Sequence, residues 1–236
     1  MITKRTRTAD DFGQEFKDML QANGLETENI EAVVMASVVP DIMPVLRGGI
    51  RKYLKREPFI IKADSNTGIV VKTERPAELG VDRLINAAAA YHFYGGAVLV
   101  IDFGTATTFD VVTASGEFLG GAISPGIQIS SDALSEKASM LPTIEVRKPD
   151  SILGTNTVSS MQAGVFFGYI GQVEYISTKY RKMLDEDMKV IATGGLSGLF
   201  MNSTNAINVY DMDLTCKGIK YIYERENAEN TKYNTY

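Results

Sequence analysis

The segment from Ala97 to Val112, AVLVIDFGTATTFDVV, joins two apolar, β-branched runs through a turn rich in glycine and threonine. It predicts two strands joined as a hairpin, because strand-forming residues resume directly after the turn. Asp102 ends the first strand, Gly104 permits close backbone approach, and Thr105 offers a hydroxyl. Carboxylates bind cations, and exposed amides and hydroxyls bind phosphate. The segment therefore predicts a phosphate and cation site, with an ordinary surface hairpin as the alternative.

Two common nucleotide-binding motifs do not occur in the sequence, which contains neither G-x-x-x-x-G-K-[ST] nor G-x-G-x-x-G. The net charge of −5 comes from 24 basic and 29 acidic residues, without long blocks of either sign. This balance argues against nucleic acid or a membrane surface as the main partner and favours a small metabolite. The apolar-leaning stretch from Val158 to Ile176 is too polar to span a membrane, and Met1 to Asp11 lacks the apolar segment of a signal peptide.

The single cysteine and the single histidine restrict the chemistry further. Cys216 has no second cysteine to pair with, which excludes an intrachain disulfide and a cysteine-based zinc cluster and fits a reducing cytoplasm. His92 would have to be the base of any Ser/His/Asp hydrolase, yet it ends a helical pattern, where a structural role is expected. We therefore expect a cytoplasmic protein that is not such a hydrolase.

Strand and helix patterns alternate along the chain, which predicts an α/β layer architecture. In the first half, the patterns place helices and short strands at about residues 9–23, 32–39, 41–54, 59–61 and 69–72, with a further helix opening at Pro76. In the second half, they place a three-stranded meander from Ala97 to Pro125, helices at 127–137 and 157–184, a strand at 189–195 and a last helix at 214–224. We expect two domains, residues 1–94 and 95–236, sharing a cleft, and a weakly ordered tail from residue 226.

Five segments together resemble the type III pantothenate kinases, a branch of the acetate and sugar kinase, heat-shock cognate and actin superfamily. They occur in the family's order and cover nearly the whole chain: PAELGVDRLINAAAAYH, VIDFGTATTFDVV, GGAISPGIQISSDAL, GTNTVSSMQAG and KVIATGG. The resemblance implies two ribonuclease H-like domains around a cleft, as in actin-like ATPases. It also implies phosphorylation of the primary hydroxyl of pantothenate from ATP, the entry into coenzyme A synthesis. Such enzymes are typically homodimers that need potassium or ammonium, with magnesium accompanying ATP.

The resemblance carries roles to particular residues of this sequence. Asp82 resembles the proton acceptor, and the pantothenate pocket would be lined by Thr73, Gly80, Val81, Asp82, Arg83 and Thr157. Asp102 resembles the ligand of the monovalent cation. The ATP contacts would come from Gly104, Thr105, Gly194 and Gly195. These roles suit phosphoryl transfer, which asks a protein mainly to position groups and to neutralise charge.

Each of these residues also has a plainer interpretation. Asp82 and Arg83 would serve equally as a solvated pair at a helix start. Thr157 would serve as the N-cap of the long helix, and a strand-to-helix turn alone explains Gly194 and Gly195.

The sequence departs from the family pattern at two places. The family's first strand, with its Asp-x-Gly-Asn-Thr phosphate turn, and the strand after it are missing, so roughly 25 residues of the first domain are expected to be absent. A start assigned too far downstream, a shortened relative or a partner that supplies the strands would each explain this. Thr73 stands where the family often has a tyrosine that touches pantothenate. A catalytically impaired accessory protein and a kinase for another small hydroxyl compound therefore stay as alternatives.

Overall fold

The computed structural model describes residues 7–184 and 187–233, and these form two compact units. The first unit takes the described residues of Met1–Asn66, Ala77–Ile85 and Ile219–Tyr236, and the second takes Thr67–Pro76 and Asn86–Gly218. This division differs from the boundary expected between residues 94 and 95. The C-terminal helix belongs to the first unit from Ile219 onward, where it contacts that unit: the Arg225 side chain donates to Asn66 Oδ1 at 2.8 Å, and the Tyr223 ring packs edge-on against Phe59.

The first unit contains helix α1 (Ala9–Ala22), strand β1 (Val34–Met35), helix α2 (Met43–Gly49) with a π-helical turn at Ile50–Leu54, and strand β2 (Phe59–Ile60). The two strands pair in parallel, and among the described residues they are the whole sheet of this unit. The strand expected at 32–39 is therefore much shorter than its apolar pattern predicted. Thr8 and Asp11 form the predicted capping box at the start of α1.

The second unit contains strands β3 (Val70–Val71), β4 (Ala97–Phe103), β5 (Ala106–Val112), β6 (Glu117–Pro125), β7 (Met188–Thr193) and β8 (Val209–Tyr210). They form one sheet in the order β3-β6-β5-β4-β7-β8. Strands β4, β5 and β6 are an antiparallel meander, and β7 and β8 run parallel to β4. The expected α/β class is confirmed. The strand expected at 69–72 lies here, as β3 beside β6.

Helices α3 (Val81–Tyr94), α4 (Ile127–Lys137), α5 (Thr157–Leu184) and α6 (Leu214–Tyr233) complete the chain. The predicted bounds of α4 and α5 are confirmed. Residues 226–233, expected to lie in a weakly ordered tail, continue α6, while residues 234–236 lie outside the described part. Glu226 has a partner distant in sequence, since its Oε1 accepts from the Asn66 amide at 2.8 Å. None of the described helices is long and apolar enough to cross a membrane.

The six-stranded sheet has two different faces. On one face, alternate residues of β4, β5 and β7 pack against α5, whose inward residues include Phe166 and Val173. The residues of this core that are almost fully buried include Leu99, Ile101, Phe103, Phe109, Val190 and Ala192. The opposite face carries Asp102 on β4, together with its register partners Thr108 on β5 and Thr193 on β7. Asp102, Thr108 and Thr193 thus lie on the face away from the α5 core, whereas Thr107 of the same hairpin, the register partner of Phe103, lies on the α5 face.

A buried carboxylate joins three elements within the second unit. Asp211 follows β8 and is 6% exposed; both its oxygens accept from Lys217 Nζ at 2.8 Å, and Oδ2 accepts from the Tyr94 hydroxyl at 2.6 Å. Burial alone would raise the pKa of Asp211, but the hydrogen bonds from Lys217 and Tyr94 outweigh it and lower that pKa below its ordinary value. Burial, followed by the bond to Asp211, raises the pKa of Tyr94 to about 12.

Replacing Asp211 with Asn should lower the free energy of unfolding by about 2 kcal/mol at pH 7, because charged hydrogen bonds to Lys217 and Tyr94 are lost. A carboxylate with a lowered pKa stabilises the folded state above its unfolded pKa, and this stabilisation is lost as the pH falls through the folded pKa. The difference from the parent protein should therefore shrink in acid. Urea unfolding at several pH values measures this difference in unfolding free energy. Asp213→Asn, at an exposed neighbouring residue, is the control. Equal losses of unfolding free energy in both variants would contradict the stabilising role of Asp211.

Candidate active site

The turn after β4 brings several of the predicted residues together. Asp102 is half-buried near the end of β4, Gly104 and Thr105 form the turn into β5, and Gly104 N donates to the Ala106 carbonyl at 3.1 Å. In the sheet, Asp102 lies opposite Thr193 of β7, and the glycine after Thr193 is next to the same carboxylate. The carboxyl-terminal ends of two neighbouring parallel strands therefore meet at this turn.

Two glycines keep the space around the turn free. A Cβ on Gly194 would overlap Asp102 Oδ1 and lie 2.7 Å from Phe103 N, and Gly194 has a φ of +91°, which side chains rarely adopt. A Cβ on Gly126, which precedes α4, would lie 2.6 Å from the Gly104 carbonyl oxygen. Gly126 N donates to the Thr105 carbonyl at 3.0 Å, so the start of α4 is fixed against the turn. By contrast, a Cβ on Gly195 would meet nothing within 4 Å.

The donor groups at this turn fit a monovalent cation. Thr193 is 1% exposed, and its hydroxyl oxygen finds no hydrogen-bond partner among the described residues. Paired residues of neighbouring strands project from the same face of a sheet, so this hydroxyl lies on the side of Asp102. Carboxylate, hydroxyl and carbonyl oxygens are the ligands that such cations accept. In the described part of the chain, no three His, Cys, Asp or Glu residues gather as a metal cage.

Asp82 lies at the start of α3, in the first unit. The residue is exposed, and its Oδ1 accepts from the Arg83 amide at 2.8 Å. Gly80 makes room for this carboxylate, because a Cβ there would lie 2.6 Å from Asp82 Oδ1. The α3 dipole favours negative charge at this end of the helix. Val81, between Gly80 and Asp82, is buried and fixes the start of the helix. The segment from Gly80 to Arg83 therefore presents one exposed carboxylate.

The remaining two predicted residues lie in the second unit. Thr73 follows β3, its methyl group lies 3.6 Å from the Cβ position of Gly120, and its buried hydroxyl finds no partner among the described residues. Thr157 is exposed at the start of α5 and lines a cavity of about 590 Å³. The alternative that Thr157 caps α5 is wrong, because the residue before it, Asn156, accepts from the Ser159 amide at 2.9 Å through Oδ1.

Comparison with known proteins identifies the family. A model of the type III pantothenate kinase family matches residues 1–179. A curated type III pantothenate kinase from Agathobacter rectalis is 47% identical over 233 residues, covering 98% of this chain and 90% of that protein. This chain belongs to the type III pantothenate kinase family.

A solved structure agrees on the fold. A conserved protein of the Baf family of transcriptional activators from Campylobacter jejuni superposes with a TM-score of 0.56 at 22% identity, covering 86% of this chain and 87% of that one. At this identity the likeness concerns the fold alone. The fold and the family expected from the sequence are thus confirmed, while the residue roles carried over from the family stay predictions.

Sequence reasoning missed two residues beside this candidate site. Gly126 was seen only as the end of the meander, although its position beside the Gly104 and Thr105 carbonyls requires a residue without a side chain. Asn86, which is 2% exposed, donates to Asp102 Oδ2 at 3.0 Å. The signal for Asn86 was its position: it is the polar residue directly before a run of four alanines in an otherwise apolar helix pattern.

Adjacent glycines make a matched test of this geometry. Gly194→Ala should lower the free energy of unfolding by about 1–3 kcal/mol, because the residue has a positive φ and the new methyl group would displace Asp102. The methyl group of Gly195→Ala would lie in open space, so this variant should change the free energy of unfolding by less than about 0.5 kcal/mol. Chemical denaturation of both variants measures the difference, and equal values would contradict the described packing around Asp102.

Proposed function

We propose that this protein transfers the γ-phosphoryl group of ATP to pantothenate, forming 4′-phosphopantothenate at the entry to coenzyme A biosynthesis. The observation that carries the proposal is the 47% identity to a type III pantothenate kinase over 98% of the chain. The glycine-cleared turn at Asp102 supports it, since a phosphate needs backbone approach and donors without obstructing side chains.

Asp82 is the proton acceptor in this proposal. The primary hydroxyl oxygen of pantothenate forms a bond to the γ-phosphorus, the bond from that phosphorus to the bridging oxygen of ADP breaks, and the hydroxyl proton passes to the Asp82 carboxylate. The exposed position of Asp82 leaves it accessible to a substrate hydroxyl, and the start of α3 favours its negative charge. Asp82 does not need to be a strong base, because positioning contributes most in phosphoryl transfer.

The other pocket residues bind and orient the substrate. Gly80 and Val81 provide backbone groups at the start of α3, and the Arg83 guanidinium is a planar fork of donors that suits the carboxylate or amide of pantothenate. Thr157 contributes a hydroxyl beside its cavity. The buried hydroxyl of Thr73, which finds no partner among the described residues, supplies a polar group at the position where relatives often have a tyrosine.

The turn at Asp102 binds the phosphates of ATP. Gly104 permits close backbone approach and Thr105 offers a hydroxyl, and Gly194 and Gly195 permit close backbone approach at the adenosine end. Asp102, with the Thr193 hydroxyl, would hold potassium or ammonium, and magnesium would enter with ATP. A bound cation supplies positive charge that offsets the charge of the phosphates.

A kinase for another small hydroxyl compound is the second candidate, and Thr73 favours it because the expected tyrosine contact is absent. A catalytically impaired protein of the same fold is the third. Titration calorimetry with pantothenate and ATP separately distinguishes them. The proposed enzyme binds both, the impaired protein binds pantothenate alone or neither, and a kinase with another substrate binds ATP without pantothenate.

Replacing Asp82 with Asn should lower turnover by about 10²–10⁴-fold while the dissociation constant for pantothenate stays nearly unchanged, because a proton acceptor is lost and the shape is kept. Coupled ADP release and mass detection of 4′-phosphopantothenate measure turnover, and calorimetry measures binding. Asp64→Asn, at an exposed aspartate of the same unit, is the matched control and should leave both unchanged. Full turnover in Asp82→Asn would remove Asp82 from the mechanism.

A homodimer is also part of the proposal, and helix α5 offers the surface for it. Cβ atoms on Gly164, Gly168 and Gly171 would meet nothing within 4 Å, so this face leaves room for another backbone. Ile152 and Leu153, in the loop before α5, are 71% and 75% exposed. Exposed apolar side chains beside a glycine-lined helix face favour association with a second copy.

Placing an arginine at Gly168 should convert the dimer to a monomer, because a long charged side chain would fill the gap between the two copies. The subunit should still fold, since a Cβ at this position would meet nothing within 4 Å among the described residues. Light scattering after size exclusion measures the mass. Gly198→Arg, at an exposed and equally open glycine outside α5, is the control and should remain dimeric. A dimeric Gly168→Arg protein would reject this face.

We place the protein in the cytoplasm, in keeping with its single cysteine, Cys216, which is an exposed free thiol. Neither nucleic acid nor a membrane is a partner in this proposal, given the balanced surface charge.

A further inference from the structure

We propose that Asn86 is a positioning residue that fixes the Asp102 carboxylate in the orientation that holds the monovalent cation, and that Thr215 fixes Asn86 in turn. The inference rests on the proposed function, because that function makes Asp102 the cation ligand. All three residues belong to the second unit. They come from α3, β4 and the first turn of α6, three elements that are distant in sequence.

The first contact is direct. Asn86 Nδ2 donates to Asp102 Oδ2 at 3.0 Å, and the amide is almost fully buried. On the other side of the carboxylate, Gly194 leaves the space that Oδ1 occupies. Donation at Oδ2 and this space at Oδ1 together select one rotamer of Asp102. A rotamer fixed before the cation arrives loses less conformational entropy on binding.

The second contact holds the carbonyl side of the Asn86 amide, while the Asp102 carboxylate sets which side of the amide faces it. Thr215 Oγ1 donates to Asn86 Oδ1 at 2.7 Å, so the carbonyl side of the amide is engaged by a donor. An ionised carboxylate is only an acceptor, and therefore the NH₂ side must face Asp102. A rotated amide would place its oxygen against Asp102 Oδ2 and lose that hydrogen bond, although the Thr215 hydroxyl could then accept from the NH₂ group.

A purely structural role would not require asparagine at this position. The residues that follow Asn86, Ala87 to Ala90, are fully buried. An apolar residue at position 86 would suit the helix better than asparagine does. A buried amide is retained only where its polar atoms have partners. Here those partners are the carboxylate of the candidate cation site and one hydroxyl that supports the amide.

Groups that orient a metal ligand commonly change metal affinity by 10–100-fold when they are removed. Asn86→Ala should raise the potassium concentration for half-maximal effect by at least about tenfold. Thr215→Val deletes only a half-buried hydroxyl, so it should have a smaller effect in the same direction, and Thr215→Ser should restore the parent value. Pantothenate affinity should not change, since neither side chain belongs to the proposed pocket.

The test uses the full 236-residue chain and a readout that does not need catalysis. Potassium chloride replaces choline chloride at constant ionic strength, and the thermal unfolding midpoint is followed as potassium rises. Thr178→Val is the matched control, because its hydroxyl donates to the Glu174 carbonyl on α5, away from Asp102. Turnover at each potassium concentration is measured in parallel.

The proposal is supported if the half-saturating potassium concentration rises in Asn86→Ala and Thr215→Val. The same concentration should equal that of the parent protein in Thr215→Ser and Thr178→Val. Unchanged potassium dependence in folded Thr215→Val and Asn86→Ala overturns it, as does a parent protein that does not respond to potassium. If Asn86→Ala fails to fold, the comparison of Thr215→Val with Thr215→Ser decides the question. Pantothenate phosphorylation without a potassium response overturns this inference alone, whereas a shifted potassium response without phosphorylation overturns the proposed function alone.

Discussion

The pairing of strand β4 on both sides is the constraint on which the second unit depends. Its antiparallel partner β5 returns through the turn at Gly104, and its parallel partner β7 ends beside the same turn. With hydrogen bonds to both neighbours, β4 cannot shift without breaking two ladders. Asp102, near its end, is therefore delivered to a fixed place, where Gly194 provides space and Asn86 provides a donor.

Both faces of this sheet carry buried apolar residues, and one of them also carries the candidate cation ligands. The side chains on one face, such as Phe103 and Phe109, are buried against α5 and form the apolar core. On the other face, Asp102 and Thr193 end strands whose Val98, Val100 and Ile191 are fully buried. The Thr193 hydroxyl finds no hydrogen-bond partner among the described residues, and proteins seldom bury such a group without a use. The rigid core on one face therefore supports polar groups that are poised for a ligand on the other.

Local patterns predicted those elements whose stability arises within the element or its nearest neighbours. The apolar repeat of α5 gave both of its ends, and the capping box of Thr8 and Asp11 gave the start of α1. Patterns failed where a distant contact decided the outcome. Helix α6 continues past its apolar repeat, with the side chains of Arg225 and Glu226 bonded to Asn66, about 160 residues away in sequence. Strand β1 is short despite a long apolar run.

The sequence by itself determined the family, the α/β class, the hairpin whose first strand brings Asp102 to the turn, and the glycines that follow Asp102. These depend on residue types at fixed local spacing. Only the tertiary structure decided what surrounds the carboxylate. The donor from Asn86, the support from Thr215 and the need for a glycine at position 126 all arise where separate elements meet. Such contacts depend on the packing of distant segments, and no local pattern encodes their distances.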